Sequence, residues 1–129
     1  MTPRRAGTPA DQGFRLPAEW EPHAATWLGW PASRTDWPGK FAPIPWVYGE
    51  IVRRLAPGEI CRIIAPGRIA RRARRLLARA GVDPARVEFL DFPSDRGWTR
   101  DSGPVFLKRD RPPAELAVEI HGAEAWVLF

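Results

Sequence analysis

The stretch from Pro93 to Pro104, PSDRGWTRDSGP, gathers Asp95, Trp98, Arg100 and Asp101 around Gly97 and Gly103. Glycines free the backbone to bring polar and aromatic groups together in a loop. A carboxylate beside an indole makes a receptor for a flat cation: the carboxylate accepts two parallel N–H bonds from a guanidinium, and the ring face attracts its charge. Trp98 and Asp101 have the types and spacing for such a clamp, and Asp95 adds a further carboxylate. The same residues also suit a plain turn, in which Asp and Gly satisfy the backbone and Asp101 neutralises Arg96 or Arg100. Residue types alone leave both uses open.

A loop of this kind needs a strand to deliver it, and Val87 to Phe92 supplies an apolar run directly upstream. Two more buried strands are expected, at Ala24 to Trp30, closed by Pro31, and at Glu59 to Ala65, between Pro57-Gly58 and Pro66-Gly67. Between them Val47, Ile51 and Leu55 recur at helical spacing behind Pro45, which predicts a helix over 46–55. A second helix carries Ile69, Ala73, Leu76, Leu77 and Ala80 on one stripe and Arg68, Arg71, Arg72, Arg75 and Arg79 largely on the other, and Gly81 ends it. Val105 to Leu107 and Leu116 to Ile120 are two further short strands. Alternation of strand and helix argues for an α/β class with mixed or parallel pairing. The segment from Pro31 to Pro45, with Ser33, Asp36 and Gly39, is a loop long enough to suggest function. Trp20, Trp27 and Trp30 are expected in the core or a pocket wall.

The 129 residues, 44% of them hydrophobic, suffice for one domain. Residues 1–13 mix Pro, Gly, Arg and Thr without periodicity and read as a flexible leader, leaving 14–129 as the domain. The net charge of +5 comes from 20 Lys and Arg, of which only Lys40 and Lys108 are lysines. Such a balance raises the class of basic nucleic-acid-binding modules. The apolar stripe opposite the arginines already explains the second helix as a solvated face, so nucleic acid is not expected as a partner. Cys61 is the only cysteine, which rules out an intrachain disulfide or a Cys-rich zinc site. No run approaches the roughly 20 apolar residues of a membrane span, and the N-terminus lacks the apolar core of a secretory signal. A soluble, cytoplasmic protein is the expectation.

Two blocks, LPAEWEPHAATWLGWP within Phe14 to Pro31 and FPSDRGWTRDSGP from Phe92 to Pro104, resemble the agmatine deiminases. These belong to the guanidino-group-modifying superfamily that also holds the bacterial-type peptidylarginine deiminases. The likeness runs over about residues 14–107 and fades beyond Arg109. It implies a portion of a pentein-type α/β propeller, one to two ββαβ modules, and hydrolysis of a guanidinium: agmatine to N-carbamoylputrescine and ammonia, towards putrescine. It implies no cofactor and no metal. By resemblance Trp98 and Asp101 hold the guanidinium, Asp95 matches a frequent family position, and Arg100 supports the loop. The family's nucleophilic cysteine and general-base histidine are not matched. Cys61 lies in EICRII on a buried strand, His121 is followed by Gly122 and Ala123, and His23 fits a satisfied turn residue. The isolated chain is therefore expected to bind a small guanidinium substrate without turning it over. A catalytically inactive guanidinium-binding or docking module, self-associating or complementing another chain, is the alternative.

Overall fold

The computed structural model describes residues 7–93, 97–102, 105–110 and 115–119. Asp95 and His121 lie outside them. Residues 23–99 form one compact unit, and 1–22 together with 100–129 form another.

In the first of these units, strands β1 (Ala25–Gly29), β2 (Ile60–Ile64) and β3 (Val87–Leu90) pair in parallel, in the order β1-β2-β3. Helices α1 (Ile44–Leu55) and α2 (Gly67–Arg79) are the two crossovers. They pack on each other and close one face of the sheet. Strand alternation then decides what is buried. Cys61 and Ile63 of β2 are fully buried beneath the helices, together with Val52 of α1 and Ala73 and Leu77 of α2. Arg62, one residue out of phase, points to the other face. There it sits in register between Trp27 and Glu88. Its Nε donates to Glu88 Oε2 at 2.7 Å, and its guanidinium lies 5.6 Å from the Trp27 ring centroid. An arginine in the middle of a central strand thereby gains both a carboxylate and a ring partner on the face away from the helices.

The helices end where the sequence supplies the means. Gly81 takes a left-handed φ of +74° after α2. Its N–H donates to the Ala78 carbonyl at 3.1 Å, and the Val82 N–H reaches the Leu77 carbonyl at 3.0 Å, a Schellman closure that also buries Val82 against Leu77. Helix α1 begins on Pro43 with Pro45 in its first turn. The stripe it buries differs from the sequence expectation. Gly49 and Val52 are buried, with Tyr48 and Leu55 packed beside them, whereas Val47 and Ile51 are 50% and 38% exposed. The cause is a close crossing of α1 and α2 at Gly49, where an added Cβ would strike Leu76 Cδ2. Approach at the residue without a side chain rotates Val47 and Ile51 outward.

The other unit is built on an antiparallel pair, β4 (Val105–Arg109) and β5 (Glu115–Glu119). Arg15 adds to the free edge of β4 by exchanging N–H···O bonds of 2.9 and 3.0 Å with Lys108. Its small core is Phe14 and Leu107, flanked by Val105. Around it the Arg15 guanidinium bonds Glu21 at 2.6 Å and Asp110 at 2.9 Å, and Lys108 Nζ donates to Glu21 at 3.1 Å. Residues 8–13 form a turn around one 3-10 turn at Ala10–Gln12, in which Asp11 accepts from the Thr8 N–H and hydroxyl. Trp20 is 88% exposed rather than part of a core or pocket wall. It occupies the tip of a turn closed by the Glu21 N–H and the Ala18 carbonyl, and side chains at such a tip point outward.

Candidate functional site

Parallel α/β sheets place their sites beyond the carboxyl ends of the strands, because the connecting loops converge there. The loop after β3 returns to β1 at that end. Gly97 lies against Gly29, so close that a Cβ on Gly29 would stand 3.0 Å from the Gly97 Cα. Two residues on, the Thr99 hydroxyl donates to the Trp27 carbonyl at 3.4 Å. Trp98, between these two anchors, is held while its side chain stays 53% exposed.

The ring of Trp98 stacks on Trp37, with centroids 6.2 Å apart and planes 29° from parallel. Trp37 follows a 3-10 turn at Arg34–Asp36 and meets Tyr48 of α1 edge-on at 6.3 Å and Phe41 at 6.2 Å. Tyr48 in turn meets Trp30, just past the end of β1, at 6.0 Å. Burial, and next the charge of Asp36, raise the Tyr48 hydroxyl above the usual phenol range, so it is a neutral donor at physiological pH. The platform is thus Trp98 on Trp37, backed by Tyr48 and Phe41, with the Asp36 carboxylate close enough to act on Tyr48. Sequence reasoning singled out Trp98 and suspected the 31–45 loop, but named Asp36 only as a residue of that loop and did not single out Trp37 or Tyr48. The signal it could have used was Trp37 next to Asp36 inside an already suspicious loop.

Asp101 falls in a short helix, α3 (Thr99–Ser102), and its side chain lies outside the described set. Asp95 likewise lies outside. Arg100 donates to Glu19 Oε1 at 2.6 Å, both side chains being exposed. A neighbouring cavity of about 300 Å³ is lined by residues that include Trp30, Arg34, Phe41, Ile69 and Arg72.

Cys61 has no exposed surface, and burial, with the charge of Glu59 second, raises its thiol above the ordinary range. Both effects oppose the thiolate a nucleophile needs. His23 sits at the amino end of β1, away from Trp98. Its Nε2 is 2.7 Å from Glu59 Oε2, and the Thr26 hydroxyl donates to the same oxygen at 2.8 Å, so the ring is tied down structurally. Among the described residues no three His, Cys, Asp or Glu side chains cluster so as to hold a metal, and no helix is long and apolar enough to cross a membrane.

An α/β unit with a parallel sheet and an aromatic platform at its carboxyl end defines the class of module. Residues 15–126 match the family model of the Porphyromonas-type peptidyl-arginine deiminases. The agmatine deiminase of Stutzerimonas stutzeri (strain A1501) is 33% identical over 103 residues, 80% of this chain and 27% of that enzyme. That of Pseudomonas aeruginosa (strain LESB58) is 33% identical over 104 residues, 81% of this chain and 27% of the enzyme. The solved agmatine deiminase of Enterococcus faecalis superposes with a TM-score of 0.73 at 23% identity, over 89% of this chain and 30% of that one. The chain belongs to the Porphyromonas-type peptidyl-arginine deiminase family. It spans about 27% of the length of the curated relatives it matches.

Proposed function

We propose that this chain supplies the guanidinium-binding wall of an agmatine-deiminase-type hydrolase, with Trp98 and Asp101 as the clamp and Asp95 beside it. The observation that carries the reading is the half-exposed Trp98 indole, stacked on Trp37 at the carboxyl end of the sheet, in a chain whose relatives are named agmatine deiminases. The ring face attracts the planar cation, Trp37 fixes the ring's orientation, and the Asp101 carboxylate accepts paired N–H bonds. In the reaction a cysteine thiolate adds to the central guanidinium carbon and ammonia leaves. Water, deprotonated by a histidine, then displaces the sulfur to give the carbamoyl product and restore the thiol. Neither Cys61, buried on β2, nor His23, bound to Glu59, has the setting for those roles, so both groups belong to other parts of the enzyme.

In the same reading, 1–13 is a leader and 14–129 a partial domain, one to two modules of a pentein-type α/β propeller working in the cytoplasm. Self-association or a complementing chain would cover the surfaces that further modules meet. Agmatine is the favoured substrate over peptidylarginine because the relatives' names point to it.

The test is paired. Calorimetry with agmatine should detect binding that Trp98→Ala and Asp101→Ala each abolish, while an ammonia-release assay on the same chain should stay at background. Ammonia release that disappears on Cys61→Ser would overturn the assignment of the nucleophile, and agmatine binding indifferent to Trp98→Ala would overturn the clamp.

A further inference from the structure

Helix α2, GRIARRARRLLAR, contains six arginines and no acidic residue. Five of them, Arg68, Arg71, Arg72, Arg75 and Arg79, fall within an arc of about 100° at 100° per residue and run about 16 Å along the axis at 1.5 Å per residue. All five are exposed, and among the described residues none of the six enters an ion pair. Arg74, off the stripe, lies over the Phe89 ring at 4.2 Å. The same protein shows what a neutralised surface helix looks like. On α1, Glu50 bonds both Arg53 and Arg54 at 2.7 Å. Like charges at i,i+3 and i,i+4 disfavour a helix, so a surface with no function other than solvation gains from interspersed Glu, and α2 has none.

Against the sequence expectation of a merely solvated face, and on the ground that these arginines have no acidic partners among the described residues, we propose that the stripe docks the phosphodiester backbone of duplex nucleic acid, without reading its sequence. Three features select that partner. Guanidinium groups match phosphate bidentately. Along its axis one strand of a B-form duplex carries a phosphate about every 3.4 Å, so a stripe about 16 Å long meets several phosphates, with about five as the upper bound. The stripe holds no Asn or Gln of the kind that reads base edges, so the contact is with the backbone. A bilayer fits less well, because the apolar side of α2, with Ala73 and Leu77, is already buried in the core and cannot enter a membrane interface.

The experiment is fluorescence anisotropy of a labelled duplex titrated with the whole chain at several salt concentrations. If all five arginines engage, the logarithm of the binding constant falls against the logarithm of salt with a slope of about −4.5. In Arg71→Glu/Arg75→Glu three remain, the slope falls to about −2.7, and affinity drops by at least about tenfold. Arg53→Glu/Arg54→Glu makes the same change of charge on α1 and should leave the slope intact and affinity within about threefold. Circular dichroism checks folding, and should the Glu variant unfold, Arg71→Gln/Arg75→Gln must show the same loss of slope. Equal losses from the α1 and α2 variants would overturn the proposal, as would no duplex binding at about 50 mM salt. So would tighter binding of polyglutamate or of phosphatidylserine vesicles.

Discussion

Replacing Gly29 by alanine should destabilise the chain by about 1–2 kcal/mol, with the sign opposite to that of an ordinary glycine-to-alanine change. Gly29 does not have a positive φ, so its backbone does not require glycine. At such a position alanine normally stabilises by about 0.4–1 kcal/mol, because it restricts the unfolded chain. Here the new Cβ would lie 3.0 Å from the Gly97 Cα, 3.1 Å from its carbonyl oxygen and 3.2 Å from its carbonyl carbon. Carbon atoms prefer about 3.5–4.0 Å, so the loop must retreat by roughly half an ångström. All three atoms are backbone, so the loop itself must shift rather than a side-chain tip, which places the overpacking cost near about 1–3 kcal/mol and above the entropic gain. Gly49→Ala is the contrast: its clash is with the flexible end of Leu76, which can rotate, and it gains up to about 1 kcal/mol of helix propensity. Urea melts followed by circular dichroism would report Gly29→Ala as a midpoint lowered by about 0.5–1 M, given about 1–3 kcal/mol per molar for a small domain. If the proposed clamp binds agmatine, that binding should weaken in step, since Trp98 follows Gly97 directly. A midpoint equal to or above that of the parent would show that the Trp98 loop does not rest on β1, and the argument for a positioned ring would fail.

Ile63→Ala should cost about 2–5 kcal/mol and Ile51→Ala under about 1 kcal/mol, since the first side chain is fully buried and the second lies on the outward side of α1; equal costs in urea melts would mean that α1 is rotated from the orientation described. Cys61 should resist a thiol reagent until the chain unfolds, and because its pKa is raised in the fold, stability should decline as pH rises past the ordinary thiol value of 9.0; a flat profile there that persists in Cys61→Ser would remove the thiol as a contributor. In acid the sign reverses. Arg53 and Arg54 hold Glu50 down at about 2, and Arg15 holds Glu21 lower still, so their stabilisation is complete above about 4.5, the unfolded value, and is lost as pH falls through the folded one. Melts between pH 5 and pH 2 should show that loss, and it should shrink at high salt because both carboxylates are screened at the surface; no salt dependence would assign the acid sensitivity elsewhere.

Much of the fold was legible because two periods and a few punctuating residues dictate it. The runs ATWLG, ICRII and VEFL become strands because they are short, apolar and bounded by Pro or Gly, and α2 begins and ends where Pro66 and Gly81 stand. The strand after Val87 stops at Leu90, two residues short of the expected Phe92, which is 59% exposed. The failure on α1 is more instructive. Val47, Ile51 and Leu55 form a good stripe on paper, but a helix with apolar residues on two sides has two possible faces. The choice was made by close approach at Gly49, a property of two helices meeting that neither sequence segment encodes alone.

The candidate site divides in the same way. Trp98 was singled out because an indole and a carboxylate occur together in one short stretch, and proximity along the chain is what a sequence displays directly. Trp37 and Tyr48 were not, since Trp37 meets Trp98 only once β1 and the loop following β3 come together, and Tyr48 backs Trp37 from another element. That meeting depends on small residues: Gly29 and Gly97 let two backbones touch, and the Thr99 hydroxyl then finds the Trp27 carbonyl on the edge of the sheet. An aromatic platform assembled from separate segments is therefore positioned by glycines that carry no chemistry.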